Sequence, residues 1–242
     1  MAPHAPVLLE EVGRSRATAE LAAVRGACRS LLGADAGTVV VLSPHASAPC
    51  VYARPEGDLG GFGLPGVGAS APGDDALRDA LAAAWGVEVV EAGADHGAVV
   101  ALSLLGTRVP VVAAGLPEAS GPLGVPVTEA LEAARAFAPA LVLAADGRDV
   151  VLIVSAHTSA GLSPRAPLTR LEDGVALHAA VIEALSGDVG GLGRIPANLW
   201  ETGGSCGAGS LVALGVLAEG RRGRLLAKAA PFGVGYVVAA VP

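Results

Sequence analysis

Apolar runs and their spacing divide the chain into elements. Thr38-Val39-Val40-Val41-Leu42 sets four apolar residues in succession, which predicts a strand covered on both faces. Ser43-Pro44 predicts its end, because proline has no N–H for the ladder and restricts the residue before it. His45 then stands at the carboxyl end of a central strand, the edge where open α/β sheets bind ligands. Val150-Val151-Leu152-Ile153-Val154 followed by Ser155-Ala156-His157 repeats the same device.

Helical spacing separates these runs. Leu21, Val24, Cys28 and Leu31 recur at three and four residues, which predicts a helix from about Ser15 to Leu32. Its other face offers Arg14, Arg16, Glu20, Arg25 and Arg29 to solvent, and Gly33-Ala34-Asp35 turns into the strand. Asp74 or Asp75 caps a helix carrying Leu77, Leu81 and Trp85 on one face. Strands follow over 87–91 and 109–113, and a helix over 128–137 with Leu131, Ala134 and Phe137 inward. Residues 99–105 are apolar throughout, so periodicity does not decide between helix and strand there. A helix over 171–185 carries Leu171, Val175, His178, Ile182 and Leu185 on one stripe, which makes His178 a structural residue outside any site. Residues 210–217 predict a helix, and 225–229 and 234–241 two closing strands. Residues 46–73, rich in Gly, Pro, Ala and Ser, predict a long loop that forms much of a pocket wall. With a β-rich N-terminus, the alternation predicts one α/β domain over residues 1–242. It has three layers and a mainly parallel central sheet flanked by helices, with 38–42 and 150–154 inside the sheet.

Composition narrows the function classes. Hydrophobic residues make up 52% but aromatics only 3%, so the core is built of Ala, Val and Leu. The net charge of −7 and the lack of a basic run exclude nucleic acid as the expected partner. Arg108 and the glycines of 202–218 interrupt the long uncharged windows, so no membrane span is expected. Glu10 and Glu11 follow the first apolar piece with no basic stretch before it, unlike a signal peptide. Cys28, Cys50 and Cys206, an odd number without a CxxC pair, fit a reducing cytoplasm. The glycines of 60–66 match neither GxGxxG before a helix nor a phosphate-binding loop.

The remaining candidate chemistry is histidine-based. His4 lies in Pro3-His4-Ala5-Pro6, next to Val7-Leu8-Leu9. It is either part of a frayed terminus or pinned by those apolar neighbours. His96 lies in Asp95-His96-Gly97 after a strand; Asp95 either orients the ring or makes an Asx-type turn. Glu201 and Cys206 are the anionic and soft groups of 198–207. Each has a plain alternative, a solvated loop acid and a small buried residue before a helix.

Taken in order, Pro3-His4-Ala5-Pro6-Val7-Leu8-Leu9, Ser43-Pro44-His45, Asp95-His96-Gly97 and Ser155-Ala156-His157 resemble the motifs of class III extradiol ring-cleavage dioxygenases. Cys206-Gly207 before an apolar helix and the ending Gly233-Val234-Gly235-Tyr236 are similar to the related Memo family. The resemblance implies a non-haem Fe(II) site with His4 and His45 as ligands and Glu201, or alternatively Cys206, as the third. A small aromatic diol and O₂ would be the substrates. His157 would be the acid–base residue and His96 a second residue contacting substrate. Ser155-Ala156-His157 stands where that family carries Asp-Leu-Ser-His. A third ligand at Cys206 implies instead a Memo-like protein with a binding or redox role, for which zinc or copper serves as readily as iron. A zinc hydrolase using the same cleft is a third reading. Neither the substrate nor a homo-oligomeric state follows from these motifs.

Overall fold

In the computed structural model, which describes residues 1–13, 18–32, 37–106, 108–119 and 124–242, the valines of the first long run point alternately to opposite faces of a sheet. Val40 and Leu42 enter one hydrophobic core and Val39 and Val41 the other, as a two-residue side-chain period requires. The sheet has five strands: β1 (Thr38–Ala46), β2 (Cys50–Arg54), β5 (Glu88–Gly93), β6 (Val111–Pro117) and β7 (Val150–Val154). Their order is β5-β2-β6-β1-β7, so β1 lies between β6 and β7. The pairs β1–β6, β1–β7 and β2–β5 are parallel and β2–β6 is antiparallel. The predicted α/β architecture with a mainly parallel sheet is therefore present. Arg14, Arg16, the predicted first turn from Ser15 and the Gly33-Ala34-Asp35 turn lie outside the described residues.

Helices cover both faces. On one side α3 (Asp75–Trp85), α5 (Val127–Ala144), α6 (Glu172–Ser186) and α8 (Ala208–Leu217) bury Leu77, Leu81, Phe137, Leu177 and Leu211 in one core with Val40, Val112 and Leu116. On the other, α2 (Ala19–Arg29) and α4 (His96–Leu105) bury Leu21, Val24, Cys28 and Val100 in one core with Val39, Val41 and Ala113. Asp74 caps α3 by accepting from the Leu77 N–H, and Gly86 ends it in the left-handed conformation. The helix α4 resolves the ambiguous run 99–105. A hairpin of β8 (Arg224–Ala229) and β9 (Tyr236–Ala240) closes the chain. Among the described residues no helix is long and apolar enough to cross a membrane.

Six expectations need correction. Arg25, expected to face solvent, is buried, and its Nε–H donates to the Leu8 carbonyl. Strand β1 does not stop at Ser43-Pro44 but runs to Ala46. The register against β6 shifts between Ser43 and Ala46, and such an irregularity accommodates the missing proline N–H. Residues 46–73 are not a loop: they hold β2 and a hairpin of β3 (Glu56–Leu59) and β4 (Leu64–Ser70), joined by a 3-10 turn over Gly60–Phe62. Strand β7 is the outermost strand rather than an interior one, and Val150 to Leu152 are half-buried. Its carboxyl end is covered by Ala2, whose N–H donates to the Val154 carbonyl and whose carbonyl accepts from the Ala156 N–H. The N-terminus is not β-rich; beyond that bridge it forms a 3-10 turn (Pro6–Leu8) and the short helix α1 (Glu10–Gly13). The buried stripe of α6 is Gly174, Leu177, Val181, Ala184 and Leu185, rotated from the predicted one, and Val175 is exposed.

Candidate metal centre

His4 is fixed by the pairing of the N-terminal segment with β7 and by burial of Leu8 and Leu9. The side chain is 3% exposed, so the terminus is pinned rather than frayed. His4 Nδ1 lies 3.1 Å from Ser155 Oγ, and that hydroxyl donates to the Gly97 carbonyl at 2.7 Å. With its proton committed, Ser155 accepts from the His4 Nδ1–H, which leaves the His4 Nε2 lone pair free. The next position of the site comes from β1, where His45 Nε2 stands 3.0 Å from His4 Nε2. Glu118 Oε2, just past the end of β6, lies 3.4 Å from His45 Nδ1. Strands β1, β6 and β7 run parallel, so His45 at the end of β1 and Glu118 and His157 just past the ends of β6 and β7 gather at the carboxyl ends of three neighbouring strands.

His96 arrives differently. Strand β5 pairs with β2, which runs against β6, and His96 is the first residue of α4. Asp95 caps that helix, accepting from the Gly97 and Ala98 N–H groups, and also accepts from the Ser43 hydroxyl and from Tyr52 OH at 2.8 Å. Those bonds tie α4 to β1 and β2, so the Asp95 carboxylate serves as a cap and a brace. A methyl group on Gly97 would collide with Ser43 Oγ and press on the His45 ring. The rings of His45 and His96 lie 4.0 Å apart, and Phe62 from the hairpin turn packs 4.7 Å from His96.

Cys206 completes the cluster from the opposite side. Its Sγ is 3.3 Å from His4 Nε2 and 3.2 Å from His157 Nδ1. Ser205 anchors this turn by donating to the His157 carbonyl at 2.8 Å. Gly207 lets it sit close, since a side chain there would strike Ala156. Glu201 is exposed on α7 (Ala197–Thr202) and belongs to neither donor group. His178 is half-buried elsewhere, with Nδ1 2.6 Å from Thr158 Oγ1.

Burial sets the protonation of the cluster. His4 is held well below the ordinary imidazole value by burial, then by the neighbouring His45, His157 and His96. Burial and His45 bring His96 and His157 to about 4, against an opposing pull from Glu118. Burial first, and then Glu118, raises the Cys206 thiol far above its usual range. The hydrogen bond from His45 is the main cause holding the Glu118 carboxyl below its usual range. At neutral pH His4, His96 and His157 are neutral and Cys206 is a thiol, so the imidazoles have lone pairs to offer.

These donors fit a metal ion. Two ligand atoms about 2.0–2.3 Å from one ion lie roughly 3–3.7 Å apart, the range seen here. That range holds for His4–His45, His4–Cys206 and Cys206–His157, and two groups, His4–His157–Cys206 and His4–His45–His96, gather all their ligand atoms within 4.8 Å. They share His4 and divide the predicted ligands, so that His45 and Cys206 fall into different groups. Sequence reasoning missed Glu118, Ser155 and Phe62. The signal for Glu118 was the one that marked His45, a polar residue after a buried strand, but Gly115 and Pro117 hid the end of β6.

The fold and site define an α/β protein with a buried His/Cys group able to hold a metal ion. No family model matches the chain, and no curated protein matches it significantly.

Proposed function

We propose that this is a Memo-like metal-binding protein that holds zinc or copper through His4, His157 and Cys206, with a binding or redox role. The contact of Cys206 Sγ with both His4 Nε2 and His157 Nδ1 carries the reading. A thiolate with two imidazoles suits zinc and copper better than a set built on a carboxylate does. When bound, the ion supplies a Lewis acid or a one-electron couple. The chain supplies a preset His4 tautomer through Ser155, a thiol that gives up its proton on coordination, and His45 with Glu118 as a neighbouring proton relay. The test is metal content after anaerobic purification, in wild type and single variants. His4→Ala, His157→Ala and Cys206→Ala should lose the metal, and Glu201→Ala should keep it. Retention of metal by Cys206→Ala would end this reading.

A second reading rests on the 3.0 Å spacing of His4 Nε2 and His45 Nε2, with the Glu118 carboxylate alongside. It makes the protein an Fe(II)-dependent extradiol dioxygenase acting on a small aromatic diol and O₂. Buried neutral His157 then takes a proton from the diol hydroxyl. Under this reading His45→Ala loses iron and His157→Ala retains it, and turnover falls about 10²–10⁴-fold on loss of the acid–base group. Oxygen uptake by the iron-loaded protein with a panel of catechols separates the two.

A further inference from the structure

The cleft beside Cys206 carries a charge pattern that points to its ligand. A cavity of about 430 Å³ opens next to His157 and Cys206, a size suited to a single-ring molecule. Pro167, Leu168 and Leu171 give it an apolar wall. Leu168 is 48% exposed, so a ligand seated there would cover apolar surface now left in water. Two carboxylates, Glu118 and Glu201, also line the cavity, and no Lys or Arg does so among the described residues. Glu118 stands on the side facing His45. Glu201 is carried by α7 and lines the cavity outside both donor groups.

We infer that the cavity selects a small aromatic amine, its ring against Leu168 and Leu171 and its ammonium group toward Glu201, and disfavours aromatic acids. This rests on the reading that His157 and Cys206 hold a metal ion beside the cavity, where the oxygens of a diol would sit. With the diol oxygens on the ion, an ammonium group at the far end of the ring gains attraction from the nearby Glu201 and from Glu118, whereas a ligand carboxylate there meets repulsion, with no Lys or Arg in the lining to offset it. The apolar wall accepts either ring equally, so discrimination between them is electrostatic and weakens with salt.

The experiment compares three catechols of similar size on zinc-loaded protein by calorimetric titration: dopamine, ethylcatechol and dihydroxyphenylacetate. Dopamine should bind about tenfold more tightly than ethylcatechol, and dihydroxyphenylacetate more weakly still. The spread should shrink as salt is raised. Glu201→Gln should bring dopamine and ethylcatechol to within about twofold while the bound zinc is retained. Equal or tighter binding of dihydroxyphenylacetate, or no binding of any of the three, overturns the inference and leaves the metal assignment standing. Phenethylamine and phenylacetate on chelator-treated protein give the converse separation, because the carboxylates remain without the ion. Preference for phenethylamine in a protein that takes up no metal would support the charge selection and defeat the metal reading.

Discussion

If Cys206 is a ligand, metal binding must be linked to a single proton. The structure sets the size of that linkage. Burial raises the Cys206 thiol far above its ordinary value, so at neutral pH it enters the site protonated and must lose that proton to coordinate. His157 is held at about 4, and His4 well below the ordinary imidazole value, so neither has a proton to release. Each metal ion bound should therefore displace one proton, and affinity should rise tenfold per pH unit. From about pH 7 to about pH 8.5 that is roughly a 30-fold gain, or about 2 kcal/mol. Chelator competition with Zn²⁺ at several pH values gives the slope. Calorimetry in two buffers of different ionisation enthalpy gives the proton count independently. In Cys206→Ala residual binding should be weaker and its slope near zero. Cys28 and Cys50 are both still present in that variant and both buried, so loss of slope belongs to Cys206 alone. A wild-type affinity that is flat with pH, or a Cys206→Ala slope matching wild type, would refute the reasoning.

Two further outcomes follow from the same geometry. Ser155→Ala removes the acceptor that fixes the His4 tautomer, so metal affinity should fall about 10–100-fold with the circular dichroism spectrum unchanged; an unaltered affinity would mean that Ser155 does not orient the ring. The metal-free protein should lose stability on acidification, because His96 and His157 titrate at about 4 in the fold and near 6.5 when unfolded. Their contribution is nearly intact above about pH 7 and declines as the unfolded chain takes up protons first, by about 2 kcal/mol for each histidine down to about pH 5. Urea unfolding at three pH values measures this, and a flat profile over that window would contradict the assignment.

What the sequence made legible follows from how many faces of an element the fold covers. Strand β1 is buried on both sides, so its valine run is unambiguous, and α3 carries its own cap and stop in Asp74 and Gly86. The β3–β4 hairpin was not legible. It is short and mostly exposed, and Gly57, Gly66 and Gly68 within it have no side chains to show a period. Strand β7 has the same apolar run as β1, yet it lies at the sheet's edge. Its place there is set by distant residues, Ala2 among them, which no local pattern reveals.

The cluster divides along the same line. His45 and His157 were legible because each comes at the end of an apolar run that forms a strand, and the carboxyl end of such a strand is a rigid platform. His4 was legible as a residue but not as a donor with one defined lone pair. That state depends on Ser155, whose hydroxyl is committed to the Gly97 carbonyl. The choice between Glu201 and Cys206 had no local answer. Glu201 is carried on the exposed side of α7, whereas the turn at Cys206 is drawn inward by Ser205 bonding the His157 carbonyl. Gly207 permits that approach, because any side chain there would push the turn away from Ala156. The position of the sulfur against two imidazoles is therefore set by the absence of a Cβ one residue along, and sequence spacing cannot convey a contact of that kind.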